Sequence, residues 1–398
     1  MIRPLAFVGL VGCSRVVASS GGYRDSSVSD VGEERAPPDV DEVDEEAAVP
    51  GDVAAERFAD ARPPPLRIEH FAVLPSCDTP ADIFYVAPSM YVLCTRIDDW
   101  IGSNRLFFFN PADFSRPVSL RERYHFPDPT NRRSLNVFSP ITGDWGIITA
   151  NDGFYLINVT SAQNVFVPFP PPYNTGGGAV YHGGMLYIAT ANLAGTSYQV
   201  GTVLEYELQT EESGTRVTGA EFRNSIPTTQ VDPTGMTYVD TIHAVAVLNS
   251  GPRNLPGEPT LDLISPETGL RISTLFLDGH YTASLLGHLT VTSEGEIVTA
   301  SDDGSRQVRI VNPSTGRVRP GTVGGLKISS INVGEDDALY FTASEEGGLT
   351  VVLNPHSPFF LGEDSLTRLG VQPAGPALYF GGILYQTCPR GVLRIFLE

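Results

Sequence analysis

A chain of 398 residues, 41% of them hydrophobic, can bury a sizeable core, as two or three ordinary domains or as one large repeat-built domain. Its 46 acidic residues against 26 basic ones give a net charge of −20, which argues against a nucleic-acid partner, because gripping a phosphate backbone needs a positive surface. With 40 Gly, 32 Pro and only 18% charged residues, the composition suits a turn-rich, all-β chain.

Lys327 is the one lysine, so arginine supplies the other 25 basic residues, a bias that a GC-rich genome produces without a functional cause. The chain opens MIRPLAFVGLVG, one arginine before a short apolar run. That run cannot span a bilayer, which takes about 20 apolar residues, and it has the make-up of a secretory signal. Leu10-Val11-Gly12-Cys13 resembles the lipobox of bacterial lipoproteins, with an aliphatic residue three before the cysteine and a small one directly before it. The resemblance implies that residues 1–12 are a signal peptide and that Cys13 becomes the acylated first residue of an exported, outer-membrane or surface lipoprotein. Acyl chains contribute about 0.8 kcal/mol per buried methylene, so several of them anchor the protein with no membrane-spanning helix.

Residues 13–65 read as a tether. Between Tyr23 and Ala61 stand thirteen acidic residues against three arginines, with Phe58 the sole aromatic after Tyr23. Such a stretch cannot bury enough apolar surface to offset the entropy of ordering it. Its charge extends it, and Pro63-Pro64-Pro65 stiffens the junction with the folded part.

From residue 66 to 398 one pattern recurs. It is clearest at Leu285 to Val318, where short strands are separated by Ser293-Glu294-Gly295, Ser301-Asp302-Asp303-Gly304 and Asn312-Pro313-Ser314-Thr315-Gly316. Turns between third and fourth strands fall every 42 to 55 residues, the spacing of propeller blades, each a four-stranded antiparallel sheet. The first repeat takes Ile83 to Val86, Met90 to Thr95, Arg105 to Phe109 and Val118 to Arg123, and the sixth is completed by a strand at Leu366 to Leu369. The last repeat is one strand short, while Leu66 to Leu74 is a strand to spare. The expectation is a seven-bladed β-propeller with four-stranded blades, the last closed by the N-terminal strand. A six-bladed ring and a pair of β-sandwiches are the alternatives. Pro233-Thr234-Gly235-Met236 before a strand, with the two turns of the clearest repeat, resembles the NHL and YVTN propeller repeats. The first three repeats depart from those motifs.

Export permits a disulfide. Cys77 follows the spare strand and Cys388 ends the second strand of the last repeat, so a Cys77–Cys388 bridge would staple the ring's closure and leave Cys94 a buried thiol. Cys77–Cys94 pairing and no bridge remain open. Acidic pairs follow the second strand at Asp98-Asp99, Asn151-Asp152, Asp302-Asp303 and Glu345-Glu346. A ring of them could coordinate Ca²⁺, Asp302 and Asp303 being the weak candidates, but tight turns select Asp and Asn for backbone reasons alone. No cofactor is therefore expected.

Seven histidines include no His-x-x-x-His pair, and no G-x-S-x-G elbow occurs; His288, on an inner strand, is the residue a propeller enzyme would use as a base. Phe107-Phe108-Phe109 reads as burial on both faces of one strand. Phe169-Pro170-Pro171-Pro172-Tyr173 lies in a connection, making Phe169 and Tyr173 candidates for a partner-binding patch. The functional expectation is a monomeric binding or interaction module on the cell envelope with a protein or glycan partner. The alternative is a lactonase-like propeller hydrolase using a divalent cation at the channel mouth, a choice that fold alone does not make.

Overall fold

The computed structural model describes residues 67–74, 77, 79–95, 104–112, 118–126, 135–194, 197–198, 200–211, 214, 216–250, 259–277, 289–300, 307–322, 328–334, 337–343, 350–354, 357–360, 375–388 and 391–397. All lie in one unit, Pro63–Glu398. The signal peptide, Cys13 and the tether are outside the described residues.

Strand β1 (Arg67–Val73) comes first. The first blade is β2 (Pro80–Val86), β3 (Ser89–Cys94) and β4 (Asn104–Phe109), then, after the two-residue β5 (Val118–Ser119), β6 (Arg121–Phe126). The second is β7 (Leu135–Thr142), β8 (Trp145–Ala150), β9 (Gly153–Asn158) and β10 (Asn164–Pro168). The third is β11 (Thr175–His182), β12 (Met185–Ala191), β15 (Val200–Thr210) and β16 (Val217–Val231), with a separate ribbon of β13 (Leu193–Ala194) and β14 (Ser197–Tyr198). The fourth is β17 (Pro233–Val239), β18 (Ala244–Asn249), β19 (Thr260–Ser265) and β20 (Leu270–Phe276). The fifth is β21 (Leu289–Val291), β22 (Ile297–Ala300), β23 (Gln307–Asn312) and β24 (Arg317–Thr322). The sixth is β25 (Ile328–Val333), β26 (Leu339–Ala343), β27 (Thr350–Asn354) and β28 (Ser357–Phe360). The closing sheet holds β29 (Ala377–Phe380), β30 (Ile383–Cys388), β31 (Gly391–Phe396), β1 and β5, in that order.

The expectation of seven four-stranded blades is thereby corrected. Among the described residues six sheets are four-stranded, and the closing sheet, made from both ends of the unit, has five strands. The difference traces to Val118 to Arg123, which reads as one strand but divides at Leu120. Val118 and Ser119 pair in parallel with Ala72 and Val73, while Arg121 onward pairs with β4. Leu120 itself is buried in the core under the closing sheet. The sixth blade's outer strand is β28, so the expected strand at Leu366 to Leu369 is not that strand and lies outside the described residues.

Why these residues make these strands is visible in their burial. β8, β18 and β30 are buried at every position, so their sequences are mostly apolar rather than alternating, with Thr149, Asn249, Gln386 and Thr387 as buried polar exceptions. Outer strands such as β20 are largely exposed and mix in polar residues. Gly183-Gly184 and Gly381-Gly382, with positive φ at both positions, close two-residue hairpins whose twist matches the flanking strands.

First strands lie against one another in a cycle: β2 on β7, β7 on β11, β11 on β17, β17 on β21, β21 on β25, β25 on β29 and β29 on β2. Each apolar cluster is shared by two consecutive sheets. Phe107 and Phe109 pack toward the closing sheet and Phe108 toward the second blade, so this aromatic run is buried from both sides. Side chains also bond across blades: Asn136 Nδ2 donates to Gly176 O at 2.7 Å, and Thr149 Oγ1 to Gly177 O at 2.7 Å. Buried Asp262 accepts from Thr229 N and Oγ1 (2.7 and 2.6 Å), Thr274 Oγ1 (2.7 Å) and Asn249 Nδ2 (2.9 Å), locking the third blade to the fourth. A carboxylate so fully partnered is tolerated in the interior.

The disulfide also differs from the expected pairing. Cys77 bonds Cys94, with 5.7 Å between their Cα atoms, and Cys388 is the free, buried thiol. Pro80 pairs with Cys94 across the first hairpin and Thr95 N donates to Thr79 O at 3.0 Å, so the chain three residues earlier runs beside β3. Cys388 packs instead with Leu393 and Ile395 in the cluster toward the sixth blade, while Cys77 belongs to the cluster toward the first.

Candidate binding mouth on the hairpin face

Because the sheets repeat one meander around the ring, the hairpins joining first to second strands share a face. Contacts across sheets place their ends together. Tyr85, near the end of β2, meets Phe380, at the end of β29, with ring centroids 4.2 Å apart. His182, at the end of β11, stacks on Tyr238 of β17 at 3.7 Å. Ser293 and Asp337, on the hairpins of the fifth and sixth blades, bond directly, Ser293 N donating to Asp337 Oδ1 at 2.8 Å and Ser293 Oγ to Oδ2.

Between the sixth blade and the closing sheet this face carries a depression of about 470 Å³, lined by Val333, Gly334, Tyr379, Phe380 and Gly381. Tyr379 and Phe380 are consecutive in β29, so they leave it on opposite sides. Tyr379 stacks on Tyr340 with centroids 5.1 Å apart, and Phe380 meets Tyr85. The strand is fixed against β25 by Ala377 N donating to Ser330 Oγ and Tyr379 N to Asn332 Oδ1, both at 3.2 Å. The aromatic walls are therefore held by backbone bonds as well as packing.

The hairpins joining first to second strands carry several carboxylates. Asp337 stands in the left-handed region (φ 59°) three residues after Gly334, to whose carbonyl its N–H donates at 3.2 Å. The hydroxyl and N–H of Ser293 hold its carboxyl below the usual carboxylate range. Asp144, Asp240 and Glu294 occupy other hairpins of the set, and none of those hairpins carries Arg or Lys. The Tyr238 phenol is raised by burial first and then by the charges of Asp240 and Glu267. Its hydroxyl lies 3.3 Å from His243 Nδ1.

The residues singled out from sequence fare differently. Phe169 is buried, 6% exposed, in the core between the second and third blades, and Tyr173 packs against the same cluster. Phe169 N donates to Asp152 O at 3.0 Å and its ring packs near Phe154, so Phe169 lies inward, while Tyr173 stays partly exposed. Of the four acidic pairs only Asn151-Asp152 is described; Asp302 and Asp303 fall outside the described residues, as do His288 and Cys13. Among the described residues no three of His, Cys, Asp and Glu gather to hold a metal. The aromatic residues at the first-strand ends, Tyr85, Tyr238, Tyr379 and Phe380, escaped the sequence reading. Their signal is positional, an aromatic in the last two residues of the first strand, and it shows only once the repeats are in register.

No protein-family model and no curated protein matches the chain. Solved structures do. A streptogramin B lyase is similar with TM-score 0.59 and 11% identity over 84% of this chain and 98% of its own. A catalytically inactive histidine-to-alanine variant of virginiamycin B lyase from Staphylococcus aureus, with quinupristin, gives 0.56 and 14% over 84% and 100%. The extracellular domain of a one component system from B. thetaiotaomicron gives 0.53 and 14% over 80% of this chain and 40% of that one. At such identities the likeness reaches the architecture and no further, and together with the ring of antiparallel sheets it shows that this chain is a β-propeller.

Proposed function

We propose that the protein is an exported, lipid-anchored propeller of the NHL/YVTN kind, working as a binding and protein-interaction module on the cell envelope, with its partner seated at the hairpin-face mouth. The carrying observation is the depression between the sixth blade and the closing sheet, where Tyr379 and Phe380 stand in the lining with their rings backed by Tyr340 and Tyr85. Tyrosines combine a large apolar body with a polar tip, which suits a surface that alternates between water and a partner. Cys13 and the tether would hold this mouth at a distance from the membrane.

The test is photo-crosslinking in the producing cell, with Phe380→p-benzoylphenylalanine compared with the same residue in place of Phe222, which is 43% exposed on the outer strand of the third blade. A discrete adduct from position 380 and none from 222 is expected. Adducts from neither position, or equally from both, would overturn the reading.

A further inference from the structure

Among the described residues four large apolar side chains are exposed: Phe222 (43%), Leu270 (65%), Ile272 (59%) and Phe276 (56%). Phe222 leans on Tyr206 with ring centroids 5.7 Å apart, and the other three stand on one strand of seven residues, β20. That strand is the outermost of the fourth blade and, among the described residues, pairs with β19 alone, so its other edge is open to a further strand. Proteins normally blunt such edges with charge, proline or shortness. Other edges of this ring do so: β6 carries Arg121, Glu122 and Arg123, β16 carries Glu221, Arg223 and Pro227, β24 carries Arg317, Arg319 and Pro320, and β5 has only two residues. β20 has one charge, Arg271, whose Nη1 donates to Pro227 O of the neighbouring blade at 3.3 Å. A bulge leaves Ile272 without a partner on β19, which interrupts the backbone ladder there and gives side-chain contact more of the work of any association.

The strand complements its own antiparallel image. Leu270 and Phe276 lie three residues either side of Ser273, so a two-fold axis at Ser273 sets Leu270 of one copy opposite Phe276 of the other, Ile272 opposite Thr274 and Arg271 opposite Leu275. The two Arg271 positions are then four residues apart along the strand direction, about 14 Å, which exceeds the screening length of about 8 Å at physiological salt. A net charge of −20 makes two copies repel, and β20 is an outer strand without a carboxylate to add to that repulsion. A two-fold contact between identical chains requires this kind of self-complementarity. We infer that β20 is a self-association edge, through which two copies of this chain pair antiparallel about Ser273, in place of the monomer that the sequence suggests. The contact is separate from the hairpin-face mouth, which lies between the sixth blade and the closing sheet, and does not rest on it.

The experiment is sedimentation velocity of the whole chain carrying Cys13→Ala, so that no acyl chain associates by itself. A seven-residue edge makes an interface at the small end of the specific range, and a monomer–dimer equilibrium half-dissociated at about 10 to 100 µM is expected. Added salt should strengthen it, because screening removes the repulsion between two acidic copies and leaves the apolar contact. Leu270→Glu and Phe276→Arg should each weaken dimerisation about tenfold or more, and the two together, which set opposite charges against each other across the axis, should restore it. Both positions are more than half exposed, so neither single change threatens the fold. Ser273→Cys should form an intermolecular disulfide under mild oxidation, its partner lying directly opposite, and Thr218→Cys on β16 should not. A chain that stays monomeric across that range, association that weakens as salt rises, oligomers that grow beyond two, or a double variant no better than the single ones would overturn the inference. A monomer whose β20 is protected from exchange only by an added apolar peptide would give the edge to a different occupant and overturn the dimer as well.

Discussion

Asp82 offers a quantitative test of the packing between the first two blades. Its carboxylate accepts from Ile83 N at 2.8 Å and from Phe138 N, on the next blade, at 2.7 Å. These bonds favour the charged form, yet the loss of water around the buried carboxyl outweighs them and raises its pKa from 3.8 to about 7. The native state therefore keeps a proton that the unfolded chain has released between those two values, so stability falls as pH rises through that window and the loss is complete above pH 7. Roughly three pKa units at 1.36 kcal/mol each set a ceiling of about 4 kcal/mol. The side chain keeps some solvent contact, which lowers the expected swing to about 2 kcal/mol. Asp82→Asn keeps one acceptor oxygen and cannot ionise. Its stability relative to the parent, from urea unfolding followed by fluorescence, should rise by about 2 kcal/mol between pH 4 and pH 8. Parallel profiles for the two proteins would refute the argument.

Three further outcomes are expected. A Cβ on Gly177 would sit 2.5 Å from the Pro233 carbonyl oxygen of the next blade, a backbone atom that cannot step aside; Gly177→Ala should cost about 2 to 3 kcal/mol in the same assay. Reducing Cys77–Cys94, whose sequence separation is 17 residues, should cost about 3 kcal/mol, while Cys388, buried with its thiol pushed up to about 12, should be alkylated only in denaturant, as mass mapping would show. Cys13→Ala should release the protein from the membrane fraction without lipid; recovery of the same lipid-free soluble protein from both forms would sink the anchor.

Much of the scaffold was legible because turn chemistry is local. Asn312 Oδ1 accepts from Thr315 N at 3.0 Å and Gly316 has φ 70°, so Asn-Pro-Ser-Thr-Gly states its own conformation. A surplus strand at one end and a deficit at the other are visible as a count. The two-residue parallel pairing of Val118 and Ser119 is not, because so short a contact leaves no periodicity. Nor could the cysteine spacing decide among partners: the pairing depends on the path of residues just before β2. Phe169 shows a different limit, since an apolar residue in a connection reads as a surface patch until the fold shows its ring packed inward near Phe154. The mouth is the reverse case. Tyr85 and Phe380 are about 300 residues apart, and only ring closure makes them neighbours.

The central claim is that the hairpin-face mouth is where this propeller meets its partner. Hydrogen–deuterium exchange of the whole protein, with and without a detergent-solubilised envelope fraction, tests it most directly. Slowed exchange is predicted in peptides carrying Asn332–Gly334 and Leu378–Gly382, with β16 and β20 unchanged. Protection confined to those outer strands, with exchange at the mouth unaltered, would contradict it.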